Sequence, residues 1–340
     1  MAIQQYGLDL GTGSIKIYKE GHGMVLKEKN MIAIRKKTEV SAFGDDAYAL
    51  FERSSDLVRV TSPMKHGVIA GLRDMQILLD LFLKKIKCSS GFIKSNIFYF
   101  SVPSNLTEVE KRAFFDLAMG SEFKTKDLYL VEKPIAALLG EGINIKKTPG
   151  TMLIDFGYDT VEISVMAMGG IITSRLLQFG GRALDLAICS LIKEKYQLII
   201  GMKTAESLKV KLGSACGTSS EHMRVTGRHL ISGLPAAANV SADSVDEAIH
   251  NYVQYTAEAV RQIFDQIPPE IYRVIEMDGI LLTGEGSRLS NLDIYLEQKL
   301  GVPILLSQKP DQSVIIGLGV IMGDPRMTKL ASSVKEAIFN

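Results

Sequence analysis

The sequence holds no tryptophan and three cysteines, Cys88, Cys189 and Cys216, spread far apart along 340 residues. They form no CxxC or Cys/His pattern, so neither a disulfide framework nor a thiolate metal site is expected, and they read as reduced thiols of a cytoplasmic protein. The five histidines show no ligand spacing. No run reaches the ~18 apolar residues that a membrane-spanning helix needs. The first strand pattern reaches Asp9 almost at once, so no secretory signal is expected. Charge of one sign is missing too. With 39 basic and 38 acidic residues the net charge is +1, nothing draws nucleic acid by bulk electrostatics, and no nucleic-acid partner is expected.

What is present is an ordinary apolar content of 46% and enough chain for about two domains. Short β runs alternate with longer helical patterns, the signature of an α/β protein. Met75, Leu78, Leu79, Phe82 and Ile86 form one helical stripe. "NIFYFSVP" (96–103) reads as a strand, followed by a helix that Thr107 and Glu110 open as a capping box and that buries Val109, Ala113, Phe114 and Leu117. A long amphipathic helix spans about 244–264, with Ser244 and Glu247 as a second box. The segment 324–340 reads as a weak amphipathic helix packed on the body, with Met327, Leu330, Val334 and Ile338 on one side.

The most informative pattern is a repeat. "YGLDLGTGSIKIYKEGHGMVL" (6–26) and "TMLIDFGYDTVEISVMAMGGIITSRL" (151–176) both read strand, Asp-x-Gly turn, strand, glycine turn, strand, with Asp155 lying 146 residues after Asp9. Paired turns of this kind suggest a duplicated domain that clamps a phosphate tail, because small residues let backbone N–H groups approach an anion. Taken singly, each is also compatible with a plain β-turn.

Those residues carry a family resemblance. "DLGTGSIKIY", "VEKPIAALLGEG", "LIDFGYDTVEISVM", "TAESLKVKLGSA" and "ILLTGEGSRLSNL" fall in the order of the actin/Hsp70/sugar-kinase superfamily. Within it, "SPMKHGVIAG", "GGIITSRLLQFGG", "VTGRHLISGLP" and "IPPEIYRVIEMDGILLTGEG" resemble the MreB-type bacterial actins over nearly the whole chain. The resemblance implies an actin-like ATPase fold: two RNase H-like domains, each with a small subdomain, and a nucleotide cleft between them. The expected domains are 1–150 with 312–340 (subdomain about 30–70) and 151–311 (subdomain about 180–243). It further implies ATP or ADP with Mg²⁺, self-assembly into filaments, and a place at the inner face of the membrane.

By the same resemblance Gly11, Thr12, Gly13 and Ser14 match the first phosphate loop, and Gly157 and Thr160 the second, where Tyr158 is also expected to face the nucleotide. Asp9 and Asp155 match the aspartates that hold Mg²⁺ through water. Gly284, Gly286 and Ser287 match the turn beside the adenine, in which Glu285 also lies, and Glu206 and Lys209 the helix that reaches the sugar and base. Lys16 stands where these bacterial actins usually carry an apolar residue and eukaryotic actin a lysine, within expected reach of a phosphate.

Three departures bear on catalysis. Lys133 stands where the family's second Glu, before the Pro, orients the attacking water; an ammonium has no acceptor for that water's proton. Tyr158 and Asp159 replace glycines in the second loop, and Glu285 another at the adenine turn. Lys133 and Asp159 are expected to pair, leaving a nucleotide-binding actin that hydrolyses slowly. The alternatives are an ordinarily cycling ATPase in which Asp159 takes over the acid's role, two side chains that simply face solvent, or a sugar-kinase-type member of the superfamily. For the membrane, "KKIKCSSGFIKSN" (84–96) offers Phe92 and Ile93 inside a ring of Lys84, Lys85, Lys87 and Lys94; the same two residues could instead tuck under the adjacent helix.

Overall fold

The computed structural model describes residues 3–36, 39–53, 57–88, 96–217 and 219–333. The chain falls into two compact units, one of residues 1–148, 168–176 and 311–340, the other of 149–167 and 177–310. Each has its own apolar core.

In the first unit a six-stranded sheet runs in the order Ser332–Ser333, Thr125–Glu132, Asn96–Val102, Gln4–Leu10, Ser14–Lys19, Gly23–Lys29. Gln4–Leu10 pairs parallel with Asn96–Val102 and antiparallel with Ser14–Lys19. Tyr6, Phe98, Phe100 and, from the flanking helices, Phe82 and Phe114 are fully buried, each side chain contributing roughly 1.5–3 kcal/mol by leaving water. Helix Leu72–Lys85 buries Met75, Leu78, Leu79 and Phe82 of the expected stripe, together with Leu83, while Ile86 is its C-cap and only partly buried against the same core. Helix Glu108–Gly120 has both halves of the Thr107/Glu110 capping box. Its buried face is Phe114, Leu117 and Ala118; Val109, expected inside, is 80% exposed, because the box fixes a helical phase that turns the first turn outward. A small sheet, Glu39–Phe43, Ile32–Arg35 and Val58–Thr61, accompanies helix Asp45–Leu50.

The second unit repeats the plan. The order Val161–Ala167, Thr151–Phe156, Ile280–Thr283, Ile304–Leu306 matches that of Ser14–Lys19 through Thr125–Glu132 in the first sheet. In each, an antiparallel hairpin is followed by two strands added in parallel. All seven residues of Val161–Ala167 are buried, as in a strand covered on both faces. A three-stranded sheet, Leu198–Ile199, His222–His229 and Pro235–Ser241, lies in the 177–310 part. The long helix is Ala242–Phe264, and its cap is Ser241, whose side chain accepts from Ser244 N, not the expected Ser244. Glu247 instead pairs with Lys195 at 3.1 Å. The C-terminal segment also departs from expectation: Thr328–Leu330 is a 3₁₀ turn, and Ser332–Ser333 joins the sheet beside Tyr129 and Leu130. Val334 and Ile338 lie outside the described residues.

Candidate functional site

The first loop is set by sheet register. Asp9 lies directly across from Lys16 on one side and Ser101 on the other, so the three form a row. Lys16 Nζ donates to Asp9 Oδ2 at 3.0 Å, and Ser101 Oγ donates to Asp9 Oδ1 at 2.8 Å. Lys133, first residue of helix Lys133–Gly140, brings its Nζ to 3.7 Å from Asp9 Oδ1. Burial works to raise the Asp9 pKa, but the Lys16 and Lys133 charges, with the hydrogen bonds from Lys16 and Ser101, outweigh it and hold the carboxyl well below the usual range.

This arrangement does not suit the Mg²⁺ expected at Asp9. Each of its oxygens already accepts a hydrogen bond, two ammonium groups stand beside it, and Asp9 and Lys16 are only 5% and 7% exposed. A hydrated octahedral ion needs room and negative ligands. Lys16, expected near phosphate, is therefore bound to the carboxylate assigned to the metal.

The backbone of the loop is braced from outside it. Asn30, fully buried, donates its Nδ2 to Gly11 O at 2.9 Å and its backbone N–H to Gly13 O at 3.2 Å. Thr12 Oγ1 accepts from Gly67 N at 3.3 Å, and Thr12 O from Ser62 Oγ at 3.4 Å, which gives the "SPMKHG" segment its role. A Cβ on Gly11 would come within 2.7 Å of Ser14 O, so the turn is as tight as a phosphate loop needs.

The second loop is built likewise. Gly157 N donates to Thr160 O at 2.8 Å, and a Cβ on Gly157 would stand 3.0 Å from that oxygen. Gly157 and Tyr158 give their carbonyls to the N–H groups of Gly181 and Arg182, at 3.0 and 2.7 Å, satisfying the opening turn of helix Gly181–Lys195. Asp159 is 6% exposed and has Arg182 Nη1 3.9 Å away. Burial, then the Asp185 charge, pushes the Tyr158 hydroxyl up to about 12. Asp155 lies across from Glu162 and Thr283 in register. Where the first row carries Lys16 the second thus carries a buried Glu162, so Asp155 keeps the acidic setting that Asp9 has lost.

Gly284, at φ +84°, donates to Pro310 O at 3.0 Å, and a Cβ there would overlap Asp155 Oδ1 and Phe156 O. Ser287 Oγ donates to Gly284 O at 2.7 Å, Gly286 packs on the Phe156 ring, and Glu285 is exposed. Glu206 and Lys209 share helix Met202–Leu212. Lys209 Nζ is tied to Asp185 Oδ1 at 2.7 Å and to Gly181 O at 3.0 Å, so it anchors the helix that holds the second loop.

Lys133 and Asp159, expected to pair, each have a partner inside their own unit, Asp9 and Arg182. Phe92, Ile93 and Lys94 lie outside the described residues. Of the lysines around them, Lys84 pairs with Glu122 at 2.7 Å and Lys85 with Glu28, so the expected basic ring is partly neutralised. Among the described residues no helix is long and apolar enough to cross a membrane.

The sequence profile of the MreB/Mbl protein family matches residues 3–330. The chain belongs to the MreB/Mbl family. The cell shape-determining protein Mbl of Bacillus cereus is 34% identical over 324 residues, 95% of this chain and 96% of that protein. The cell shape-determining protein MreB of Escherichia coli K12 is 33% identical over 325 residues, 94% and 93% of the two chains. MreB5 of Spiroplasma citri bound to ADP superposes with a TM-score of 0.90 at 28% identity, over 96% of this chain and 98% of that one. The same protein bound to AMPPNP gives 0.90 at 29%, over 95% and 97%. The MamK double helical filament gives 0.79 at 19%, over 94% and 99%, a likeness of fold alone. The architecture is therefore the actin-like fold that the resemblance implied.

Sequence reasoning missed Asn30, Ser101, Glu162, Arg182 and Asp185. Ser101 and Glu162 did leave a signal, a polar residue inside an apolar strand, and Arg182 and Asp185 follow directly on the Gly180–Gly181 pair.

Proposed function

We propose that this MreB/Mbl-family chain is an ATP-binding bacterial actin that polymerises into cytoskeletal filaments at the inner membrane face, for cell shape or motility, and that it hydrolyses ATP slowly. Nucleotide binding is supported by two tight, externally braced glycine turns of matching design, and by the likeness to an MreB5 that binds ADP and AMPPNP. Filament assembly is supported by the family and by the fold shared with MamK, whose structure is a filament; head-to-tail contacts repeat without closing.

Slow hydrolysis rests on one observation. The residue at the start of helix Lys133–Gly140, where the family's water-orienting carboxylate is expected, is an ammonium whose charge is directed at Asp9. It donates and has no acceptor for a proton. Positioning and deprotonating water is worth roughly 10²–10⁴-fold, so phosphate release should be that far below a carboxylate-bearing relative. Lys133→Glu should recover part of it; a wild-type rate equal to that of such a relative would sink the idea.

A second reading, in which Asp159 serves as the acid, is favoured by its being a buried carboxylate at the turn of the second loop. It requires Asp159→Ala to abolish residual phosphate release, whereas slow hydrolysis without a base leaves that variant near wild type. Membrane attachment through Phe92 and Ile93 is tested by liposome pelleting of the F92S/I93S variant, which should lose binding.

A further inference from the structure

The hairpin of strands His222–His229 and Pro235–Ser241 has two unlike faces. Register sets Arg224 opposite Asn239, Thr226 opposite Ala237 and Arg228 opposite Pro235, and all six, with His222, are exposed. Met223, Val225, Ala236, Ala238 and Val240 alternate with them and pack on the core of their unit. The exposed face is basic. No Asp or Glu occurs from 222 to 242; Glu221 and Asp243 bracket the hairpin at its open end, away from the turn. Among the described residues neither Arg224 nor Arg228 has an ion-pair partner.

The turn between the strands is apolar and held in shape. His229 N donates to Leu234 O and Gly233 N to His229 O, both at 2.9 Å, and Ser232 N reaches His229 Nδ1 at 3.3 Å. Those bonds use the backbone, while Ile231 and Leu234 are 83% and 65% exposed and Leu230 beside them 37%. Exposed aliphatics standing singly are common; three at one tip make a patch. A convex aliphatic tip enters a partner rather than receiving one, and the guanidiniums behind it attract an anionic layer. An anionic lipid surface offers that layer over an apolar interior. A protein interface is also enriched in arginine, but equally in Tyr, Trp, Phe and Met, none of which this exposed face carries.

We propose that the turn 230–234 and the face of Arg224 and Arg228 form a lipid contact, the turn entering the headgroup region of an anionic bilayer and the guanidiniums lying against its phosphates. The proposal rests on the membrane reading above and adds to it a contact in the unit that does not contain Phe92 and Ile93.

The test is flotation of the full chain with vesicles through a density gradient, in which filaments alone sediment. The vesicles are phosphatidylcholine, or phosphatidylcholine with phosphatidylglycerol. Wild type should float with the anionic vesicles and bind the neutral ones about tenfold or more weakly. The double variants I231S/L234S and R224Q/R228Q should each weaken binding to anionic vesicles by about tenfold or more. Their melting temperatures should match wild type, because all four side chains are exposed. Variants that float as wild type does, or neutral vesicles that bind equally well, overturn the proposal and leave the membrane reading standing. Wild type that floats with neither vesicle overturns both. Sedimentation with nucleotide and no lipid completes the test: unchanged assembly of I231S/L234S supports the lipid contact, and lost assembly assigns the turn to a contact between copies of the chain and overturns it.

Discussion

Lys209 Nζ lies 2.7 Å from Asp185 Oδ1, and both side chains are largely buried, at 15% and 2% exposure. The pair joins helix Met202–Leu212 to helix Gly181–Lys195, whose first N–H groups hold the carbonyls of the second loop. Removing one partner strands the other charge in the interior, which costs about 3–5 kcal/mol. Asp185→Ala should therefore lower the unfolding free energy read from urea titration by that much. The double change D185L/K209M, which removes both charges, should recover most of the loss.

Acid should act on the other loop. The Asp9 carboxyl has a folded-state pKa held well below its unfolded value, so its contribution to stability is complete above the ordinary carboxylate pKa of about 3.9 and is lost as pH falls toward the folded value. In that interval the unfolded chain binds the proton first. Denaturant titrations below pH 4 should show wild type losing stability more steeply than Asp9→Asn; equal slopes would mean the lysine pair contributes nothing.

Gly284 admits no side chain. Its φ of +84° disfavours any L residue, and a Cβ would overlap both Asp155 Oδ1 and Phe156 O. Gly284→Ala should cost about 2–3 kcal/mol and weaken nucleotide binding by displacing Asp155, as measured by melting and by fluorescent-nucleotide titration. Gly301→Ala, also at positive φ but with open space around it, should lose only the conformational part and keep binding.

Asn30 works by donation. Its side chain and backbone N–H reach the carbonyls of Gly11 and Gly13. Asn30→Asp replaces the donor with an acceptor facing a carbonyl, an exchange worth about 1–3 kcal/mol in a buried place. Loss of nucleotide affinity beyond the loss of stability would show that loop shape, rather than overall folding, depends on this residue.

Much of the frame was legible because it is written in local patterns. The paired hairpins, the stripe of helix Leu72–Lys85 and the Thr107/Glu110 box each depend on residues a few positions apart. What could not be read was partnership across the sheet and between helices. Register set Lys16, expected near a phosphate, opposite Asp9, and the helix after Gly180–Gly181 placed Arg182 near Asp159, neither of which a linear reading shows. The Ser244/Glu247 box failed for a related reason: the local motif was present, but Ser241 reached the helix start first and Lys195 claimed the glutamate.

Helix Lys133–Gly140 rests on helix Ser313–Gly323 through glycines. A Cβ on Gly140 would overlap the carbonyl of Ser313, and one on Gly317 the carbonyl of Ala136. Backbone lies on backbone there, with no rotamers between to take up slack. A displacement of the C-terminal helix should therefore carry the other with it, as a shaft does a crank, and the leading residue of that helix is Lys133. A single methyl group added at Gly317 is thus a way to turn the ammonium away from Asp9 without touching either residue.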